Sequence, residues 1–249
     1  MTQTALLPEQ GIIMSWSGGK DSALALARVM EKYRNRPYAL LTMMIEDGSR
    51  SRSHGIRREI LEAQAHALGL PIFFFSCSWD TYEEVFEKGL HIIQNSFENI
   101  TFQAAAFGDI CLQHDLNWNN HRTWADNVCA RAGIKSIQPL WDESEESLLN
   151  DFFTKGFKAL VMCEKIGISP LFEHSSLTQP QFLGHPFTHD LAHFFKAVGI
   201  SPCGERGEFH TFVFDGPMFH HPLSITIPHH TIHQRSGYWH GEVELLPGF

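Results

Sequence analysis

The 249 residues suffice to bury a full core, as one large domain or as two small ones. With 43% apolar and 19% charged residues the composition is that of an ordinary globular protein, and no apolar run is long enough to span a bilayer. A net charge of -9 argues against a broad nucleic-acid footprint, which needs clustered Lys and Arg. Residues 50–58, with four arginines, are the candidate for a local one.

Residues 11–15 are a short apolar run ending in a Gly-rich turn, the pattern of a buried strand. Ala23, Leu26, Ala27 and Met30 then recur at helical spacing. Residues 38–45 form a second apolar run of strand length. Ile56, Ile60, Ala63 and Ala67 mark a second helix, closed by Gly69 and Pro71. Residues 72–75 read as a third strand, and Tyr82, Val85, Phe86, Gly89 and Ile93 as a third helix. A fourth strand over 103–107 runs into Gly108 and Asp109. Alternating strands and helices predict a parallel sheet covered on both faces, with ligands at the carboxyl ends of its strands. That rule directs attention to Ser15, to Met43 and the loop after residue 45, and to the loop after Phe107.

The pattern continues through a helix over 121–132, a strand over 137–140 and a helix capped by Asp142 with Glu145 three residues on. A further strand covers 158–163. Beyond Gly167 the residues Pro, Gly and His are frequent, and 209–214 and 223–227 look like strands. The fold class expected is α/β: a parallel-sheet nucleotide domain over residues 1–132, then a smaller α+β domain over 133–249. The five cysteines are scattered, with no C-x-x-C pair, and four of them read as small buried hydrophobes. His220, His221, His229, His230 and His233 fit no standard metal-ligand spacing. Residues 1–10 lack a secretory pattern, so the cytoplasm is the expected compartment.

Residues 17–22 read S-G-G-K-D-S, between a short strand and an amphipathic helix. A Gly-rich turn there lets successive backbone N–H groups point into one concavity, and the helix N-terminus adds partial positive charge. Together they form an anion site suited to phosphates. Gly18 and Gly19 allow close approach, Lys20 supplies a mobile cation, and Ser17 and Ser22 supply hydroxyls. Neither the Walker loop nor G-x-G-x-x-G fits. Asp21, directly after the lysine, would be repelled by phosphates unless it holds Mg2+. The plainer reading is a turn that merely starts a helix.

The run S-G-G-K-D-S resembles the PP-loop of the N-type ATP pyrophosphatases, whose members include GMP synthetase, argininosuccinate synthetase and tRNA-modifying enzymes. That resemblance implies a HUP-like, Rossmann-like domain that splits ATP into AMP and pyrophosphate. Three further stretches narrow it: H-G-I-R-R-E at 54–59, F-G-D-I at 107–110, and C-G-E-R-G-E-F-H-T-F-V at 203–213, followed by D-G-P at 215–217. These resemble the diphthine–ammonia ligase (diphthamide synthase) family and its shorter bacterial-type relatives, over nearly the whole chain.

The family resemblance implies ATP-dependent conversion of a carboxylate to an amide with ammonia, through an acyl-adenylate. Its partners would be ATP, ammonia and a carboxylate-bearing small molecule or protein side chain, with no membrane; a homo-oligomer is left open. Carried onto this chain, Lys20 and the loop amides hold pyrophosphate, Asp21 takes Mg2+, and Asp109 positions metal or substrate. Glu205 and Glu208 bind ammonium or accept its proton, while His54, Gly55 and Gly108 lie near the nucleotide. Glu205 and Glu208 flank Gly207, so a charged turn before a strand is the alternative. The chain departs from the ligase pattern at Arg206, at Phe209-His210 and in an insertion around 113–120, which leaves the acyl substrate open. Two other functions compete, a PP-loop tRNA-modifying enzyme and a non-catalytic ATP sensor.

Overall fold

A computed structural model describes residues 10–34, 38–110, 118–168 and 179–247. The insertion expected around 113–120 falls largely outside the described residues. Five strands, β1 (Gln10–Ser15), β2 (Tyr38–Met44), β3 (Ile72–Ser76), β4 (Thr101–Ala106) and β5 (Lys135–Ile137), form an all-parallel sheet in the order β3-β2-β1-β4-β5. Parallel strands need crossovers, and α1 (Lys20–Lys32), α2 (Arg58–Leu68), α3 (Tyr82–Asn95) and α4 (Trp118–Arg131) supply them. The order reverses between β1 and β4, the point where such sheets open a crevice at their carboxyl ends.

The chain divides into two compact units. The first comprises the described residues of Met1–Ser17, Asp21–Arg58 and Gly69–Asp142; the second comprises those of Gly18–Lys20, Glu59–Leu68 and Glu143–Phe249. In the first, β2 is buried along its whole length, as expected of a strand covered on both faces. Its core joins Ile13, Leu41, Phe86, Leu90 and Phe107 to Ala125, Val128 and Cys129 of α4. Phe86 anchors it, stacked 5.8 Å from Phe107 and edge-on to Trp124 at 5.2 Å.

The second unit holds α5 (Glu145–Thr154), β6 (Lys158–Lys165), α6 (His189–Ala197), β7 (Phe209–Asp215), β8 (Ile225–Thr226), β9 (His233–Arg235), β10 (Tyr238–His240) and β11 (Glu244–Leu245). Its main sheet is antiparallel, in the order β7-β6-β10-β9. Phenylalanines fill its core: Phe152 stacks on Phe157 at 4.8 Å, and Phe195 lies 4.8 Å from Phe209. The α/β sheet followed by an α+β region is the expected fold class.

Several local expectations are corrected. The strand placed at 137–140 is β5, which ends at Ile137 because Pro139 has no N–H to donate to a ladder. Helix α5 is capped by Ser144, whose side chain accepts the Ser147 N–H; Asp142 instead lies in the left-handed region at φ 64°. The strand at 223–227 shrinks to Ile225–Thr226, paired with β11. Helix α6 and the β9–β10 hairpin went unread. Cys77, Cys129, Cys163 and Cys203 are buried as expected, Cys111 falls outside the described residues, and burial raises the Cys129 and Cys163 thiols to about 12. Among the described residues no helix is long and apolar enough to cross a membrane.

Candidate active site

In the first unit, β1 leaves the sheet through Ser15, Trp16 and Ser17. The Trp16 N–H donates to the Leu41 carbonyl, and the Thr42 hydroxyl donates to the Trp16 carbonyl, both at 2.8 Å. This clamp fixes the exit of β1 against β2. A pocket opens there, lined by Ser15, Trp16, Ser17, Leu41, Thr42, Met43, Arg52, Ser53, Trp79 and Tyr82. Tyr82 stacks on Trp79 at 5.7 Å, and the Arg52 guanidinium sits 5.1 Å over the Trp79 ring. Arg52 also donates to the Cys77 carbonyl and, at 2.6 Å, to Glu46. Aromatic faces, one guanidinium and a few hydroxyls suit a flat polar ring.

Of the expected nucleotide residues, Ser15, Ser17 and Met43 line this pocket. His54 and Gly55 stand in the loop after β2, where the Gly55 N–H donates to the Ser51 carbonyl, and are not among the lining residues. Arg50 of that loop and Arg58 at the start of α2 serve the chain itself. Arg50 donates to the Gly55 carbonyl at 3.1 Å and Arg58 lies 4.6 Å over the Phe74 ring.

The Ser17 hydroxyl donates to that of Ser22 at 3.0 Å. A Cβ on Gly108 would fall 2.7 Å from the Ser22 amide nitrogen and 2.8 Å from the Asp21 carbonyl carbon. Only glycine lets the exit of β4 come this close to α1. The next residue, Asp109, is carried with it. Burial pushes the Asp109 carboxyl above its ordinary range, His121 of α4 opposes this, and Asp21 adds to the rise. Asp21, Ser22, Gly108 and Asp109 are thus together. Two electrostatically coupled carboxylates suit a magnesium ion whose other ligands are phosphate oxygens and water. Among the described residues no three His, Cys, Asp or Glu side chains form a metal-holding group.

In the second unit Gly18, at φ 81°, turns its carbonyl toward β7 and α2. That oxygen accepts the Val213 N–H at 3.0 Å and Gln64 Nε2 at 3.1 Å, and Gln64 Nε2 also donates to the Val213 carbonyl at 2.6 Å. The Lys20 N–H donates to the Thr211 hydroxyl at 3.1 Å. Lys20 Nζ stands 3.9 Å from Glu205 Oε1, with both side chains largely buried.

The turn carrying Glu205 is tied down from several sides. The Glu205 N–H donates to the Ser201 hydroxyl at 3.0 Å, and Ser201 donates in turn to Glu145 of α5. Glu208 Oε1 accepts the Ser201 N–H at 2.8 Å and Oε2 the Arg206 N–H at 2.9 Å. Of the expected trio Lys20, Glu205 and Glu208, then, Glu205 faces the lysine while Glu208 shapes the turn. Beside them His210 is pushed down to about 4, by burial first and then by the Lys20 charge, so it is neutral at neutral pH.

The sequence reading missed Trp16, Thr42, Arg52, Trp79, Tyr82 and Gln64. Arg52 and Trp79 follow β2 and β3, so the carboxyl-end rule applied to every strand finds them. Gln64 is wholly buried within the apolar stripe of α2, and one polar residue there is the only signal it gives.

Residues 10–136 match the family model described as the diphthamide synthase N-terminal domain, and residues 144–245 the one described as its C-terminal domain. Similar relatives include the diphthine–ammonia ligases of Schizosaccharomyces pombe (26% identity, 84% of this chain and 35% of that one), Rattus norvegicus (22%, 89% and 85%) and Homo sapiens (23%, 72% and 66%). The chain therefore spans 35% of the length of the fission-yeast relative and most of the rat one. Among solved structures, a predicted subunit of tRNA methyltransferase from Methanocaldococcus jannaschii aligns over 84% of this chain and 98% of that one at 17% identity and a TM-score of 0.40, too weak a likeness to add to the family match.

Proposed function

This chain belongs to the diphthamide synthase family, and we propose that it amidates a carboxylate with ammonia, cleaving ATP to AMP and pyrophosphate through an acyl-adenylate. The observation that carries this reading is the S-G-G-K-D-S run that follows β1, whose Ser17 lines a pocket of aromatic rings and Arg52. A carboxylate is a poor electrophile. Attack of its oxygen on the α-phosphorus releases pyrophosphate and creates a good leaving group. Ammonia then attacks the acyl carbon: the C–N bond forms, the C–O bond breaks, and AMP leaves with the electron pair. The proton shed by nitrogen passes to a carboxylate or to water.

The pocket at Ser15, Trp16, Met43, Arg52 and Trp79 receives the adenine. Ser17, Ser22 and the amides of Gly18 and Gly19 receive phosphate oxygens, with His54, Gly55 and Gly108 framing the nucleotide. Lys20, released from Glu205, neutralises the departing pyrophosphate, and Glu205 then serves as the proton acceptor. Glu208 positions the turn that carries Glu205. Asp21, with Asp109, would hold Mg2+, which supplies charge neutralisation across the phosphates.

The test uses ATP, magnesium and ammonium chloride with diphthine and a panel of small acids whose carboxylates carry 18O. Label recovered in AMP, alongside pyrophosphate and the amide, is the expected result. ADP and phosphate as products, or AMP without label, would sink the proposal.

A further inference from the structure

The side-chain carboxamide of Gln138 is the polar group that the reading above leaves unused. Both its Oε1 and its Nε2 are shielded from solvent, and neither has a hydrogen-bond partner. An amide buried without partners forfeits its bonds to water and gains none in return. Native proteins keep few such groups, and each calls for a reason.

Its place in the fold supplies one. Gln138 is the first residue beyond β5, at the carboxyl edge of the parallel sheet. The Phe107 N–H donates to the Ile137 carbonyl at 2.9 Å, so Gln138 stands beside the Phe107–Gly108–Asp109 exit of β4. Arg28 of α1 donates to the Pro139 carbonyl at 3.1 Å, and the Trp141 N–H to the Gln138 carbonyl at 3.3 Å, which hold this backbone in place. All these residues lie in the first unit.

The edge of that sheet has an order. The aromatic pocket lies on the β1, β2 and β3 side. The phosphate turn leaves β1, and β4 carries Asp109 beside Asp21. Gln138 is next, roughly 10 Å from β1 at ordinary strand spacing. A nucleotide laid from the pocket with its phosphates at Ser17 therefore leaves the β4–β5 end for the acyl group.

Building on the proposed amidation, we infer that Gln138 is the contact for the reacting acyl group and for ammonia. Nε2 donates to the acyl oxygen, which gains negative charge as nitrogen adds, and Oε1 accepts an N–H of ammonia. Neutrality matters here. Asp21 and Asp109 already make this edge acidic, and a third carboxylate would hold ammonium, which has no lone pair with which to attack. A carboxamide orients ammonia without favouring its protonation.

The experiment compares wild type with Gln138→Met and Gln138→Glu, using ATP, diphthine and ammonium chloride, and records the thermal midpoint of each protein without ligands. For Gln138→Met the ammonia KM rises tenfold or more, the ATP KM stays within twofold, and the midpoint rises because an unpaired amide is gone. For Gln138→Glu the ammonia dependence shifts to higher pH. An unchanged ammonia KM in Gln138→Met, or a lowered midpoint showing that the amide is paired within the protein, overturns the inference. With the acids of the panel above in place of diphthine alone, a wild type that amidates none of them overturns the function itself and this contact with it. An active wild type with an indifferent Gln138→Met removes the contact alone.

Discussion

Around Gly18 and Lys20 in the second unit, buried polar groups are matched to partners in the chain: Lys20 to Glu205, Gln64 to two carbonyls, Glu208 to two amides. At the carboxyl edge of the first unit's sheet the pattern is the opposite. Asp109 is buried against its charge, and the Gln138 carboxamide and the Nε of Arg52 have no partner. Satisfied networks hold a backbone in one geometry, whereas unsatisfied groups store a cost that a ligand can relieve. The first region holds the turn in place; the second is where the proposed function puts the ligand.

Substitutions sharpen or break that contrast. The largest effect belongs to Lys20, which is both network and chemistry. Lys20→Met lowers kcat/KM for ATP by about 10²–10³ and also lowers the thermal midpoint, since Glu205 loses its ammonium neighbour. Full pyrophosphate release by this variant would break the contrast at its centre. Next comes Gln64→Leu, which removes the donor shared by the Gly18 and Val213 carbonyls. It costs about 2–3 kcal/mol in urea melts and weakens ATP binding, although Gln64 belongs to the matched network and not to the ligand-facing edge.

His210 tests the matched region by pH. Its folded pKa lies below the ordinary value of 6.5 at about 4, so the neutral form is favoured in the fold. Stability is therefore full above about 6.5 and is lost as pH falls toward 4, by roughly 2 kcal/mol after allowance for solvent screening. His210→Gln flattens this acid limb; an identical limb in wild type and variant assigns the loss to other groups. The smallest effect has the reverse sign. Because the Asp109 pKa is raised in the fold, its contribution is fully present below the unfolded value near 3.9 and lost as pH rises. Asp109→Asn then gives a slight gain in midpoint at neutral pH, shrinking in acid. A loss at neutral pH would place Asp109 in a satisfied network after all.

The alternating apolar runs made the first unit legible, because period and punctuation are local properties. The S-G-G-K-D-S run was equally plain as a motif, since it is written in six consecutive residues. The second unit was harder to read: β9 and β10 are three residues each, and the pairing of β10 with β6 joins residues more than 70 positions apart. Gln64 and Gln138 were illegible for a related reason. Nothing in the neighbouring letters tells whether a glutamine faces water, a carbonyl or an empty place. Among the site candidates, only position in the fold separates Glu205, turned to Lys20, from Glu208, turned to its own loop.

The bonds that seat Gly18 and Lys20 also set an order of assembly during synthesis. Their partners are Gln64, Thr211 and Val213, so the last arrives 195 positions after the first, counting from 18 to 213. A chain emerging from the ribosome exposes the phosphate turn early but cannot complete it until nearly all of it has been made. The seating of Gly18 and Lys20 is thus a late event in synthesis, fixed only when β7 exists.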